Sequence, residues 1–132
     1  MIVDSSALIA ILRREPEADA LEDALMSAER LRISAGTLLE ARIVAEGYGG
    51  GEDLAELLAL VAIEVVPVDE RLVDVAIEGF RRYGKGRHPA RLNYGDCFAW
   101  ALATMLREPL LFKGDDFAQT DVESALESRR RV

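Results

Sequence analysis

Five acidic residues stand where the chain could gather them around a divalent metal ion. They are Asp4, Glu40, Asp96, Asp115 and Asp116. The first and the last two follow short apolar runs that are typical of buried strands, and the other two fall in the first turns of predicted helices. In open parallel sheets, ligands bind beyond the carboxyl ends of the strands. We therefore expect these acids, although distant in sequence, to meet in one cleft at that edge.

Several carboxylates in one cleft favour the binding of a cation. Two carboxylates about 4 Å apart repel by roughly 4 kcal/mol at an effective dielectric constant of 20. Such crowding raises the pKa of at least one acid, or it is relieved by a metal ion. Oxygen ligands favour Mg²⁺, with Mn²⁺ as a substitute, and a chain with one His and one Cys is a poor zinc binder. A site of this kind activates water and stabilises charge on a phosphoryl group.

Each acid also has an interpretation that involves no chemistry. Thr37 and Glu40 have the spacing of a capping box, in which the Glu side chain would accept from the Thr37 amide. Asn93 and Asp96 have the same spacing, and the remaining acids fit strand-end or solvated turns. One metal site accounts for all of these placements together, so we favour the shared cleft.

The elements that position the acids alternate along the chain. Strands are predicted at residues 2–3, 31–34, 63–68 and 110–112, with a last short one at 121–122; helices are predicted at 7–13, 18–28, 37–46, 54–61, 69–80 and 93–106. No hairpin turn joins two strands, which predicts an α/β fold with a small, mostly parallel sheet between two layers of helices. The last predicted helix is apolar almost all round, so we expect it inside the domain. Without a linker, the 132 residues predict a single domain, 1–132.

Four segments of the chain together resemble the PIN-domain nucleases, in particular the VapC toxins of bacterial toxin–antitoxin pairs. They read MIVDSSAL at 1–8, LEA at 39–41, YGDCFA at 94–99 and LFKGDDF at 111–117. The likeness spans nearly the whole chain, with the motifs in the family order. It implies a Mg²⁺-dependent endoribonuclease that hydrolyses RNA by metal-activated water and is held silent by a cognate VapB-type antitoxin.

The resemblance assigns the acids of the site. It implies that Asp4, Glu40 and Asp96 are catalytic, metal-binding residues. The fourth acid stays open between two neighbours. Asp116 is favoured because it directly precedes a Phe, as the family acid often does, whereas Asp115 is favoured by its direct succession from the strand.

Other residues are candidates for supporting roles. By the same resemblance, Ser6 is expected to orient Asp4 or a bound water, and Asn93 is a candidate donor to the carboxylates. Lys85, Arg87 and Arg91 lead directly into the central helix and are candidates to hold RNA phosphates, although a solvated, flexible loop explains them equally well. A net charge of −8 argues against non-specific coating of nucleic acid.

The expected partners are an RNA substrate, the antitoxin and a second copy of the chain. The small, Ala-rich faces of the early helices are candidates for such a protein contact, or else they pack within the monomer. The chain shows neither a signal peptide nor an apolar run of membrane-spanning length, and its single Cys suits a reducing cytoplasm. The alternatives are another Mg²⁺-dependent phosphoryl hydrolase, such as a phosphatase, and a catalytically silent PIN-fold scaffold for RNA or protein.

Overall fold

A computed structural model of the chain describes residues 1–130, without the side chains of Arg129 and Arg130. The strands are β1 (Ile2–Val3), β2 (Arg32–Ser34), β3 (Glu64–Val66) and β4 (Leu110–Leu111); the helices are α1 (Ser5–Leu12), α2 (Ala18–Ser27), α3 (Ala35–Gly47), α4 (Gly51–Val61), α5 (Glu70–Tyr83), α6 (Tyr94–Leu106) and α7 (Ala125–Arg130). The sequence also predicts a frayed, Arg-rich end at 129–131; Arg131 and the side chains of Arg129 and Arg130 lie outside what the structure describes. Among residues 1–130, no helix is both long and apolar enough to span a membrane.

The four strands form one parallel sheet in the order β3-β2-β1-β4. Along β1, Ile2 packs into one hydrophobic cluster with α5 and α6, whereas Val3 packs into another with the first four helices. Leu110 and Leu111 of β4 divide between the same two clusters. Successive strand residues thus point to opposite faces, as the pleat requires. The three-layer α/β/α prediction is confirmed.

Helix α6 lies inside the molecule, as its composition predicts. Its residues 99–103 are all buried, and Trp100 donates a hydrogen bond from Nε1 to Asp121 Oδ1 at 3.0 Å. The faces of α1 and α2 that were candidates for a protein contact are buried against the sheet and each other, including Leu8, Leu21 and Leu25. Of the two interpretations of those faces, packing within the monomer is the correct one.

The close packing of α5 on α6 depends on Gly79. A Cβ atom at this position would lie 2.4 Å from Cε3 of Trp100, whose side chain is 2% exposed and has little room to move. We expect Gly79→Ala to lower the free energy of unfolding by about 1–3 kcal/mol, although Ala is the better helix former. Urea unfolding followed by the fluorescence of Trp100 measures this loss. Gly47→Ala, with open space around the new methyl group, is the control, and equal stability of both variants would contradict the packing argument.

Helix α3 begins two residues earlier than predicted, and this changes the interpretation of Glu40. Ser34 is the N-cap residue, and its side chain accepts a hydrogen bond from the Gly36 amide at 3.3 Å. The alternative interpretation of Thr37 and Glu40 as a capping box is therefore excluded, and the predicted placement of Glu40 in the first turn is wrong. Thr37 is instead buried within the helix, where its Oγ1 has no hydrogen-bond partner among the described residues.

Two smaller differences concern loops. The predicted strand at 121–122 does not form; Ser124 makes a single bridge with Leu110 instead, after a 3-10 turn at Phe117–Gln119. The basic loop before α6 is closed at its base, because the Lys85 amide donates to the Leu92 carbonyl at 2.9 Å. That loop is thus held at both ends by the two helices it connects.

Candidate active site

Asp4 directly follows β1, one of the two inner strands, and caps helix α1. Its Oδ2 accepts a hydrogen bond from the Ser6 amide at 3.0 Å. Its Oδ1 is buried without a hydrogen-bond partner among the described residues, and the residue is only 2% exposed. A buried carboxylate oxygen without a partner is costly. Binding of a cation or a proton to this oxygen would remove that cost.

The electrostatics of Asp4 reflect this position. Burial raises its pKa from 3.8 to about 7, against the lowering effect of the Ser6 hydrogen bonds and with further raising by the carboxylates of Asp96 and Glu40. Three of the predicted site acids, from three different elements, are thus close enough to affect one another. The strand-edge argument made from the sequence predicts this proximity.

Asp96 stands in the first turn of α6 and takes part in a capping box. Its Oδ2 accepts from the Asn93 amide at 3.0 Å, and Asn93 Oδ1 accepts from the Asp96 amide at 2.9 Å. Burial, followed by the carboxylates of Glu40 and Asp116, raises the pKa of Asp96 to about 6. Asp96 therefore serves as a cap and faces the other acids at the same time. Asn93 contacts it as a donor through the backbone, while its side chain accepts.

Glu40 reaches the site from the second turn of α3. Its Oε1 accepts a hydrogen bond from Ser5 Oγ at 2.6 Å, and its Oε2 lies against the backbone of Gly95. Neither Ser5 nor Gly95 was singled out from the sequence. Ser5 follows Asp4 and Gly95 precedes Asp96, so Glu40 is held between the segments that carry the other two acids.

Ser6 joins the ends of two neighbouring strands. Its hydroxyl accepts a hydrogen bond from the Lys113 amide at 3.0 Å, just beyond β4, while its own amide donates to Asp4. The ammonium group of Lys113 pairs with Glu15 at 3.0 Å and with Glu17 at 3.6 Å. Ser6 thus fixes Asp4 relative to the segment that carries the last two acids.

The two adjacent acids differ in their surroundings, although both are exposed. The Asp116 carboxylate is near enough to raise the pKa of Asp96. Asp115 instead lines an open cavity of about 460 Å³ together with Glu17 and Lys113, and it is not among the groups that raise the pKa of Asp4 or Asp96. Asp116 therefore lies near Asp96 in the acidic site, whereas Asp115 lies in a separate cavity beside Lys113.

The predicted RNA-binding residues are exposed on the loop between α5 and α6. Lys85, Arg87 and Arg91 form no ion pair within the described part of the chain, and the guanidinium of Arg87 lies 5.5 Å from the ring centre of Phe80. None of the three contacts the acids. Their positive charges therefore remain available to a ligand outside the acidic cluster.

An apolar groove, which the sequence did not reveal, runs beside the acids. It is an open cavity of about 680 Å³ between α3, α5 and the start of α6. Its lining includes Leu39, Val73, Ile77 and Tyr94, whose side chains are 60%, 51%, 42% and 82% exposed. Leu39 directly precedes Glu40, so the groove opens next to the acidic site.

The donor set suits a hard divalent cation. Asp4, Glu40, Asp96 and Asp116 offer only oxygen, which Mg²⁺ and Mn²⁺ prefer. The unpartnered Oδ1 of Asp4 and the raised pKa values of Asp4 and Asp96 are what a cation would relieve. Within residues 1–130, no group of three or more His, Cys, Asp or Glu side chains is already close enough to hold an ion. Binding would therefore require side-chain rotation, for which the exposed Asp116 is free.

Comparisons with known proteins identify the family of the chain and agree with its fold. Residues 1–123 match the family model described as PIN domain. A protein of Mycolicibacterium smegmatis named Ribonuclease VapC is 47% identical over 125 residues, which cover 92% of this chain and 97% of that protein. Among solved structures, the Mycobacterium tuberculosis toxin VapC20, whose title calls it a Sarcin-Ricin loop cleaving toxin, superposes with a TM-score of 0.71 at 16% identity, over 92% of this chain and 95% of that one. A toxin-antitoxin complex from Klebsiella pneumoniae gives a TM-score of 0.68 at 20% identity, with coverage of 91% and 92%. The chain therefore belongs to the PIN-domain family, among the VapC ribonucleases.

Proposed function

We propose that this chain is a Mg²⁺-dependent endoribonuclease and the toxin of a type II toxin–antitoxin pair. The observation that carries the proposal is the buried carboxylate of Asp4, which has one oxygen without a partner and lies near enough to Asp96 and Glu40 for them to raise its pKa. The carboxylate of Asp116 raises the pKa of Asp96 in the same way. The relative named Ribonuclease VapC supports RNA as the substrate. The single Cys is consistent with action in a reducing cytoplasm.

In this mechanism the four acids would hold Mg²⁺. When bound, the cation supplies positive charge to the phosphoryl group and makes water more acidic. Asp4 presents its unpartnered Oδ1 from a rigid, buried strand end, and Asp96 keeps one oxygen tied to the Asn93 amide. Without a cation, burial raises the pKa of Asp4 to about 7, so the carboxyl holds a proton below that pH. The Ser6 amide donates to Oδ2 of Asp4 and so fixes the orientation of the carboxylate. Oδ1, the oxygen without a partner, is thereby held in a constant orientation.

A cleavage assay tests the proposal directly. The purified chain is incubated with a mixed RNA population at several Mg²⁺ and Mn²⁺ concentrations and with EDTA, and the cleavage ends are sequenced. We expect cleavage at defined internal sites that requires the divalent ion. Absence of cleavage at every ion concentration would instead indicate a silent scaffold, and hydrolysis of small phosphate esters without cleavage of RNA would indicate a phosphatase.

The fourth acid is expected to be Asp116. Asp116→Asn should reduce the cleavage rate by about 10²-fold or more, because one of the carboxylates that would hold the cation against the phosphoryl group is lost. Asp115→Asn, an equal change at an exposed neighbour, should leave the rate close to that of the parent. Single-turnover rates of the two variants at saturating Mg²⁺ make the comparison. Equal losses in both would contradict this assignment.

The basic loop is proposed to hold RNA phosphates beside the acids. Replacing Lys85, Arg87 and Arg91 together with Gln should weaken RNA binding and flatten its dependence on salt, by a slope of up to about 2 for single-stranded RNA. Fluorescence anisotropy with a labelled RNA, measured from low to high salt, gives both quantities. The control replaces Arg14, Arg30 and Arg71, which are exposed elsewhere in the chain, with Gln and so removes the same total charge. If both triple variants lose the same affinity, the loop has no specific role.

The apolar groove supports a protein partner, because exposed apolar patches of this kind mark interaction sites. We propose that a VapB-type antitoxin binds the chain and silences it, in line with the toxin-antitoxin complex of the same fold, and that the chain itself forms a homodimer. Coexpression with the product of the adjacent gene should yield a complex and relieve growth arrest. Light scattering of the free chain measures its oligomeric state.

A further inference from the structure

We infer that Ser5 and Gly95 are positioning residues for Glu40, an inference that rests on the proposed function. Both residues are uncharged, and neither contacts the substrate in the proposed mechanism. Each is adjacent in sequence to one of the other acids. Together they determine where the carboxylate of Glu40 lies, and so how it is directed towards the ion.

Ser5 fixes one oxygen of that carboxylate. Its Oγ donates to Oε1 of Glu40 at 2.6 Å, across 35 residues of chain. Hydrogen bonds to a charged acceptor are about twice as strong as neutral ones. Helix α1 does not use this hydroxyl, because its N-terminal cap is the contact between Asp4 and the Ser6 amide. Within the described residues, the Ser5 hydroxyl is thus hydrogen-bonded to Glu40 and takes no part in capping the helix.

Gly95 makes room for the other oxygen. A Cβ atom on this buried residue would lie 1.9 Å from Oε2 of Glu40 and 2.5 Å from its Cδ. Gly95 does not have the left-handed backbone conformation that favours glycine, and a helix is more stable with Ala than with Gly. Backbone geometry therefore does not explain a glycine here. The close approach of the Glu40 carboxylate does.

Both contacts are needed because the site itself repels Glu40. The carboxylates of Asp4 and Asp96 lie near enough for Glu40 to raise their pKa values, and like charges push one another apart. Glu40 is only half-buried, so its side chain has an open route towards solvent. Without the Ser5 hydroxyl, or with a methyl group on residue 95, the carboxylate is expected to rotate along that route. Its contribution to the bound ion would then be lost while the fold remains.

The variants Ser5→Ala and Gly95→Ala test this inference in the full chain. Each should lower the affinity for Mn²⁺, measured by isothermal titration calorimetry without RNA, by about 10- to 100-fold, as the loss of groups that orient metal ligands does. The kcat for RNA cleavage should fall with it, and the KM for RNA should change little. Ser5→Thr keeps a hydroxyl at the same position and should retain both the affinity and the rate. Urea unfolding of each variant confirms that the fold is intact.

Gly47→Ala is the matched control, because it adds the same methyl group to α3 in open space; its Mn²⁺ affinity should equal that of the parent. If Ser5→Ala and Gly95→Ala also bind Mn²⁺ and cleave RNA as the parent does, the positioning role is wrong and the proposed function stands. If the parent itself neither binds Mn²⁺ nor cleaves RNA, the proposed function is wrong and this inference falls with it. Ser5→Ala changes no packing volume in α6, so it decides the matter even if Gly95→Ala does not fold.

Discussion

Replacing Asp4 by Asn is expected to give a protein that cleaves no RNA and yet resists urea better than the parent. The stabilisation follows from burial, because the neutral amide needs no proton to remain in a site where the charged carboxylate is costly. Asn is also as good a cap as Asp, so its carbonyl can accept from the Ser6 amide as Oδ2 does now. Its amide group would meet the neighbouring carboxylates of Glu40 and Asp96 as a donor.

The size of the effect depends on pH, and its direction follows from the pKa values. Asp4 titrates at about 7 in the folded chain and at 3.8 in the reference state. Between these values the folded state binds more protons than the unfolded state, so the contribution of this group to stability is fully present below pH 4 and is lost as the pH rises through 7. Each pKa unit is worth about 1.4 kcal/mol, so the loss approaches roughly 4 kcal/mol at pH 8. The Asn variant does not undergo this loss.

Urea unfolding of metal-free parent and Asp4→Asn, from pH 4 to pH 8, provides the measurement. The stability difference should be small near pH 4 and should grow to about 2–4 kcal/mol at pH 8 in favour of the variant. Added Mg²⁺ should then stabilise the parent by mass action and leave the variant unchanged. Asp115→Asn is the control, because it removes the same charge from an exposed position. A stability difference that does not change with pH would contradict the burial of a charge at Asp4.

The sequence predicts the meeting of the acids because their placement depends on topology. Asp4 ends β1 and the segment of Asp116 follows β4, and these two strands are neighbours in the parallel sheet. Their carboxyl ends must therefore share one edge, whatever the details of the loops. The burial of α6 could be predicted for a similar reason, because a helix that is apolar on all sides has no face suited to water.

Local patterns were less informative where two of them competed. Thr37 and Glu40 have the spacing of a capping box, but Ser34 directly follows β2 and caps the helix first. The small residues Ala35 and Gly36 hide this early start, because they add nothing to the apolar periodicity. Since Glu40 lies in the second turn, its capping interpretation is excluded, which leaves the contact with Ser5 to explain its position.

The residues that hold Glu40 could not be found from one sequence, because their signal is a distance between remote segments. Ser5 is one of two adjacent serines, and only coordinates show that it contacts Glu40 while Ser6 contacts the segment after β4. Gly95 gave a weak hint, since glycine is disfavoured within helices. The apolar groove could not be predicted either. Its lining residues come from three helices, and the sequence does not show how these helices pack beside one another.

The substitution Asp96→Asn is expected to separate the two roles of this residue. The capping box needs an acceptor for the Asn93 amide at 3.0 Å, and the carbonyl oxygen of Asn supplies one. The charge that faces Glu40 and Asp116 is lost, however. We expect the cleavage rate to fall by roughly 10²- to 10³-fold or more, while the free energy of unfolding stays at or above that of the metal-free parent because mutual repulsion among the acids is reduced.

Asp96→Ala provides the contrast, since it removes the charge and the cap together. It should be as inactive as Asp96→Asn and also less stable than that variant by about 1 kcal/mol. For each of the two variants, the cleavage rate is measured at saturating Mg²⁺ and the free energy of unfolding is measured in urea. If Asp96 were only a cap, Asp96→Asn would cleave RNA as the parent does and Asp96→Ala would lose activity only as far as it unfolds. Equal inactivity with unequal stability is the result that assigns the charge to catalysis and the acceptor oxygen to the helix.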